Sequence, residues 1–475
     1  MFKSLKVVLF IAGGIAGLVV LAALALLLFV DVNAHKPRLE AAASAALGME
    51  VKVGGRLGFG FFPGLLVKLE DVHIRNQGAD VVSAEDTWLW IDVLPLFLQE
   101  VRIGKIALKK PRISIERGLD GTYNFEKPES AGGTIAALNL ARISLADGTL
   151  LYTDTQSGEG FEAGHCSLDV GRLRFPGGKS RDFLKLVSIK AELACEEIRK
   201  KDVTVSDLKF SVNGKNAAIE IKSVTMRIFG GQGTGSIQAD YSGAAPLYHV
   251  QYKLSQFNIE EFFKVLLPQK VAEGPMHFSA TLSMQGQTVN DMMQTAAGEV
   301  SLRSENFILN DIDIDKKLSR LESSQNFNLV DVGAFFIAGP IGLVITKGYS
   351  FASIFQGSGG RSEIRMLVSD WHIERGVAQA QDVALATNKN RIALRGGLDF
   401  VNQRFNDVIV AVIDAKGCAT LRQRVRGSFQ KPVVEKPKIL KSLTGPAVTL
   451  LKKGKDLLSG GECEAFYAGS VPPPK

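Results

Sequence analysis

The sequence predicts a mainly β protein: an N-terminal transmembrane helix, then a long, curled antiparallel β-sheet, gutter-like or taco-like, with a few short helices. Three observations predict it. Residues 7–30 run without a charge, and as a helix rising about 1.5 Å per residue they cover about 36 Å, enough to span a hydrocarbon core of about 30 Å with some tilt. Beyond that run, short stretches of Val, Ile and Leu alternate with polar residues, the two-residue period of a strand with one buried face. The 475 residues include 48 glycines and are 46% hydrophobic and 22% charged, so the chain has a core to bury and many turns to make.

The first element is the anchor. Lys3, Lys6 and the amino terminus precede it, so the positive-inside rule leaves residues 1–6 in the cytoplasm and exports the remainder. A cleaved signal peptide is the alternative, but its apolar region would run only about 7 to 15 residues, and no clear Ala-x-Ala site follows Phe29. The nearest comparable stretch, 330–345, carries Asp331 and is broken by Gly339-Pro340. The body therefore reads as soluble and exported.

Residues 36–47 read as a helix, with Pro37 in the first turn, Leu39, Ala42, Ala43 and Ala46 at spacings of three and four, and Gly48 as the stop. Strands follow. Val51 and Val53, then Leu65, Val67 and Leu69, then Val72 and Ile74, then Ile106 and Leu108 all alternate with polar partners. The same period returns in Val187, Ile189, Ala191 and Leu193, in Leu208, Phe210 and Val212, in Tyr248, Val250, Tyr252 and Leu254, and in Phe278, Ala280, Leu282 and Met284. Short helices interrupt at 260–267, 289–297 and 316–322. Strands opening on Gly235, Gly274, Gly298, Gly376 and Gly396 are irregularly spaced, which excludes a strict solenoid.

The segment ALKKPRISIERGLDGTYNF, 107–125, reads as a hairpin-like unit. Ile113 and Ile115 share a face, Leu119-Asp120-Gly121 turns, and Tyr123 and Phe125 alternate again. A long sheet with one apolar face needs a cover, and the helices are too few and short to supply it. The sheet therefore closes on itself as a sandwich or barrel, or stays open as a gutter whose lining includes Ile113, Ile115, Tyr123 and Phe125.

Catalytic patterns are missing. The six histidines are scattered without helical spacing, and no nucleophile elbow, zinc-protease, Walker A or dinucleotide fingerprint is present. His165 and Cys166 are adjacent, which on a strand sends them to opposite faces. Trp88 and Trp90 share one parity, the pattern of plain packing or of a lipid-facing pair. The expectation is a protein that is not an enzyme and carries no metal or cofactor.

Charge is more informative. Between residues 416 and 456 stand eleven Lys or Arg against Glu435 and Asp456. Arg422, Arg424 and Arg426 form one stripe on a strand, and GPAVTLLKKGKDLLSGG reads as a basic amphipathic helix with Lys452, Lys453 and Lys455 on its polar side. Such residues suit either a solvated face or an anionic membrane surface; exported placement argues against nucleic acid. Of the four cysteines, Cys418 and Cys463 flank that helix and are expected to bridge in an oxidising compartment. Cys166 and Cys195 form a weaker second pair, or stay free and buried.

Several segments in order resemble the AsmA family: the anchor, a helix ending in LG, FPGLLVKLEDVHIRN, PRISIE with DGTYNF, and GEVSLRSENFILNDIDI. Toward the C-terminus IERGVAQAQDVALAT, GGLDF, GCATLRQRVRGSFQKPVVEKP and ECEAFYAGSVPPP resemble the same family, whereas residues from about 130 to 290 carry only the generic β pattern. The resemblance implies a division into a cytoplasmic N-terminus (1–6), an anchor (7–30), an N-terminal β region (31–290), a C-terminal β region (291–435) and a basic helix with tail (436–475). It further implies a single-pass protein of the bacterial inner membrane that faces the periplasm and serves outer-membrane biogenesis. Larger relatives form β gutters proposed to carry phospholipid. The expected function is binding or conducting phospholipids for envelope homeostasis. The alternatives are a non-catalytic scaffold that contacts outer-membrane assembly factors and, least supported, an envelope hydrolase.

Overall fold

The computed structural model describes residues 36–47, 49–60, 65–92, 103–125, 134–135, 138–140, 142–176, 178–179, 183–265, 272–319, 359–439 and 463–474. The anchor predicted at 7–30 and the amphipathic helix predicted around 445–461 lie outside them. Among the described residues no helix is long and apolar enough to cross a membrane. The chain divides into two compact units: residues 1–201 with 206–216, and residues 202–205 with 217–475.

The first unit begins with α1 (Lys36–Leu47), followed by β1 (Glu50–Val53), β2 (Leu57–Gly60), β3 (Leu65–Asn76), β4 (Ala79–Ile91), β5 (Ile103–Lys109), β6 (Arg112–Arg117), β7 (Thr134–Ile135), β8 (Leu138–Leu140), β9 (Arg142–Asp154), β10 (Glu159–Phe175), β11 (Gly178–Lys179), α2 (Phe183–Leu186), β12 (Ser188–Lys200) and most of β13 (Val203–Lys215). Among the described residues it is a sheet with two helices, α1 and α2.

The sheet is not antiparallel throughout, as the sequence led us to expect. β9 pairs in parallel with β5 and with β6. The reason is local: β5 runs into β6 through Lys110-Pro111, both border β4, and the chain then needs a long connection before re-entering as β9 in the same direction.

Several long strands of this unit change face once. In β3, Leu65, Val67 and Leu69 share a face, and beyond Asp71 that face is taken by Val72 and Ile74. Asp71, Lys110, Asp147 and His165 adopt positive φ of 55, 46, 55 and 51°. On neighbouring strands His165 meets Asp147 at 2.7 Å, and the Lys110 amide donates to the carbonyl of Ala146, next to Asp147, at 2.8 Å. One residue out of period bends its strand and increases its twist, and a rank of them creases the sheet.

The second unit holds β14 (Ala218–Ile228), β15 (Gly231–Asp240), β16 (Leu247–Asn258), α3 (Ile259–Lys264), β17 (Ala272–Glu273), β18 (Pro275–Gln285), α4 (Val289–Thr295), β19 (Ala297–Asn310), α5 (Ile314–Ser319), β20 (Arg361–Glu374), β21 (Val377–Ala386), β22 (Arg391–Asp399), β23 (Arg404–Ile413), β24 (Ala419–Ser428), β25 (Lys431–Val434) and β26 (Lys438–Ile439). The short helices expected near 260, 289 and 316 are α3, α4 and α5. Thr288 starts α4 with a capping box, exchanging bonds with Asp291 at 3.1 and 3.2 Å. In α3, Ile259, Phe262 and Phe263 recur at three and four and are buried.

The two units differ in how they bury apolar surface. In the second, α3 and α5 join β19–β24 in one large cluster that contains Phe257, Phe307, Ile314, Leu367, Trp371 and Leu421. In the first, the described buried cluster is only Val53, Leu57, Val67, Leu69 and Val72, with Leu39 of α1 against it.

Candidate functional site

Strand register assembles an apolar face on the first unit from residues far apart in sequence. One row runs Leu57, Leu69, Thr87, Leu108, Leu145, Leu168 and Leu193, each opposite the next. A second runs Phe59, Val67, Leu89, Ile106, Ile143, Val170 and Ala191. Beyond the crease a third runs Val51, Ile74, Val82, Ile113, Leu150, Ala163 and Ile198. Val51, Leu57, Val67, Leu69 and Thr87 are buried, as are Ala163, Val170 and Ala191, while Leu108, Leu145, Leu150, Leu168 and Leu193 are only half-buried. Aliphatic side chains held in rows and partly open to solvent make one continuous apolar face among the described residues.

Ile113 and Ile115 belong to this face. Ile113 lies between Val82 and Leu150, and Ile115 lies beside Tyr152, whose ring stacks on Phe161 at 5.4 Å. Both isoleucines are half-buried. The expected return strand through Tyr123 and Phe125 does not form; a single bridge joins Tyr123 to Arg117. Two backbone bonds flank it, from the Gly118 amide to the Thr122 carbonyl and from the Asn124 amide to the Glu116 carbonyl, each 2.8 Å, and polar side chains add to them. Asn124 Oδ1 accepts from the Glu116 amide at 3.1 Å while Asn124 Nδ2 donates to the Ser114 carbonyl at 2.8 Å, and Asp120 Oδ1 accepts from the Thr122 amide at 3.0 Å. That bridge gives Tyr123 the parity of Ile113 and Ile115. Phe125 stacks on Tyr123 at 5.2 Å and is 43% exposed. The row ends on an ion pair, Arg117 to Asp154 at 3.3 Å. Bonds from the Ser157 amide lead the causes that hold the Asp154 carboxyl below its ordinary range.

The opposite face is polar. Lys68 bonds Glu70 at 2.8 Å and Asp86 at 2.9 Å, and Arg142 meets Asp169. Trp88 and Trp90 lie on this side, where Lys105 Nζ sits 4.2 Å above the Trp90 ring. The tryptophans are thus not part of the apolar face.

Two matches to the AsmA family model cover residues 1–172 and 134–338. The chain belongs to the AsmA family. No curated protein and no solved structure matches it. The matched range takes in the generic β stretch from about 130 to 290 and stops before the C-terminal segments that resemble the family by eye. The apolar rows of this AsmA chain, from Val51 to Ile198, fall inside the match.

The remaining expected residues are spread elsewhere. Arg422, Arg424 and Arg426 do form an exposed stripe on β24, but Arg424 is paired with Asp407 at 3.3 Å and Arg426 with Glu435 at 2.5 Å, while Arg422 lies opposite Lys438. Lys452, Lys453 and Lys455 lie outside the described residues. Cys418 is bonded to Cys463, with Cα atoms 6.0 Å apart, and Cys166 to Cys195 across β10 and β12. His165 bonds Asp147, which pushes the ring above the usual histidine range. It makes no contact that would activate a neighbouring sulfur. No group of His, Cys, Asp and Glu among the described residues has metal-site geometry.

Two features went unread in the sequence. The tail 463–474 docks on the second unit: Tyr467 Oη donates to Asp382, Ser470 donates to the same carboxylate from N and Oγ at 2.9 and 2.6 Å, and buried Arg391 donates to the Val471 and Asp414 carbonyls at 2.9 and 2.7 Å. An open concavity of about 900 Å³ lies over β16, β18, β19, β20 and β21, its lining combining Phe278, Val300 and Trp371 with charged groups such as Arg303 and Asp370. Neither has a local motif, because each gathers single residues from separate strands.

Proposed function

We propose that this AsmA-family chain is a non-enzymatic, single-pass protein of the bacterial inner membrane. Its body faces the periplasm and binds or conducts phospholipid acyl chains along the apolar groove of the first unit, in support of outer-membrane biogenesis. One observation supports the reading: aliphatic rows cross β3, β4, β5, β6, β9, β10 and β12, and five of their leucines, Leu108, Leu145, Leu150, Leu168 and Leu193, are only half-buried. An acyl chain suits such a lining because each buried methylene contributes about 0.8 kcal/mol without requiring a polar partner. The paired charges on the reverse of the same strands favour water there.

The test is lipid mass spectrometry on detergent-free protein from Lys36 onward. Wild type is expected to carry phospholipid, and Ile115→Asp is expected to stay folded by circular dichroism yet lose it, because a carboxylate repels an apolar ligand. A lipid-free wild type together with an unfolded variant would overturn the reading. It would leave the alternative of a scaffold whose face is closed by protein and which contacts outer-membrane assembly factors.

A further inference from the structure

The outer edge of β1 is closed by side chains rather than by a strand. On one side β1 pairs with β3 from Glu50–Arg75 to Val53–Val72. On the other, the Val51 amide donates to Ser44 Oγ at 2.8 Å and the Val53 amide donates to Glu40 Oε1 at 2.8 Å, both from α1. Lys36 Nζ adds a bond to the Gly55 carbonyl at 3.2 Å. Ser44 can accept because its own hydrogen is used on the Glu40 carbonyl at 2.6 Å. A helix therefore imitates the ladder of a missing strand, and does so at the two amides that an incoming strand would need.

We propose that this edge of β1 is a docking edge for a second copy of the same chain, held shut by α1. The occupant follows from the strand EVKV. In an antiparallel ladder the N–H and C=O of one residue point to the same side, so Val51 turns both away from β3. Two copies related by a twofold axis place Val51 against Val51 with both bonds exchanged, an isologous contact. That register sets Glu50 opposite Lys52 of the second copy, twice, and keeps the valines of both copies on one face. The two charges already lie near each other within one strand, 3.7 Å apart, and the join gives each a second partner across the interface.

Sedimentation of the full chain in density-matched detergent tests the edge. Wild type is expected to run as a single copy, and Glu40→Ala with Ser44→Ala to self-associate at least tenfold more tightly. On that background Lys52→Glu, which puts acid against acid, is expected to return the protein to a single copy, and Glu50→Lys added to Lys52→Glu to restore the dimer. Should the double variant lose its strand signal in circular dichroism, Ser44→Ala alone, which frees only the Val51 amide, carries the same comparison. Association no greater than wild type, association indifferent to the charge changes, or a wild type that already pairs as strongly would each overturn the proposal.

Discussion

At His73 one ring stands between two carboxylates, with Nδ1 2.9 Å from Asp80 and Nε2 3.1 Å from Asp71, while Arg75 holds the other oxygen of Asp80 at 2.6 Å. The bond to Asp80 leads the causes that push the ring above the usual histidine range, since only the protonated ring can donate from both nitrogens. A group with a raised folded-state pKa stabilises the fold fully below about pH 6.5 and loses that contribution as pH rises through the folded value. We expect the His73 resonance to titrate above 6.5, and Asp80→Asn to bring the midpoint back down; an unshifted midpoint in wild type would discard the cluster. Single residues also explain what the sequence hid. Leu65, Val67, Leu69 and Val72, Ile74 read as two strands because their period breaks, yet they form one strand whose face changes at Asp71. No glycine marks the place. An aspartate tolerates positive φ, and its polarity gave the appearance of an ordinary turn.

Among elements, the C-terminal tail has the clearest energetics. Burial by itself raises the Asp382 carboxyl, but the donors from Ser470 and Tyr467 outweigh it and leave the group below its ordinary range. Such a depressed carboxylate contributes above about pH 3.9 and loses its contribution as pH falls through its folded value. Acid is therefore expected to loosen the tail, seen as faster exchange of the Ser470 and Val471 amides. Asp382→Ala is expected to loosen it at neutral pH, at a cost of about 1.5 to 3 kcal/mol for bonds to a charged group. The bridge from Cys418 to Cys463 spans 45 residues, and by chain entropy removing it with two serines should cost up to about 4 kcal/mol. Equal unfolding midpoints with and without the bridge would refute that figure. The cysteines were legible because they bracket the segment that the sequence predicts as a basic helix. The tyrosine was not, since its acceptor lies on β21, far away in sequence and unmarked by any motif.

For the molecule as a whole, the question is where stability resides. Leu367 and Trp371 are 0 and 1% exposed in the large cluster of the second unit, so Leu367→Ala should cost about 2 to 5 kcal/mol. Ile115→Ala on the half-buried face of the first unit should cost much less, because most of the lost contact is with solvent or ligand. The period-two alternation gave the strands and the apolar face in both units, but it is blind to the difference in depth, which comes from α3 and α5 lying over one sheet. Orientation is a separate matter: a reporter fused after Lys475 is expected to be active in the periplasm, and cytoplasmic activity would reverse the proposed topology. Depth leads to the sharpest expectation. Amides open with free energies set by local burial, so β20–β23 should exchange slowest and β5, β6 and β9 faster. A ligand that binds the folded groove raises stability only where it binds, by RT ln(1 + [L]/Kd). Adding phospholipid should therefore slow exchange in β5, β6 and β9 by an order of magnitude or more while leaving β20–β23 unchanged. Uniform slowing, or none, would mean that the half-buried rows are not where lipid sits.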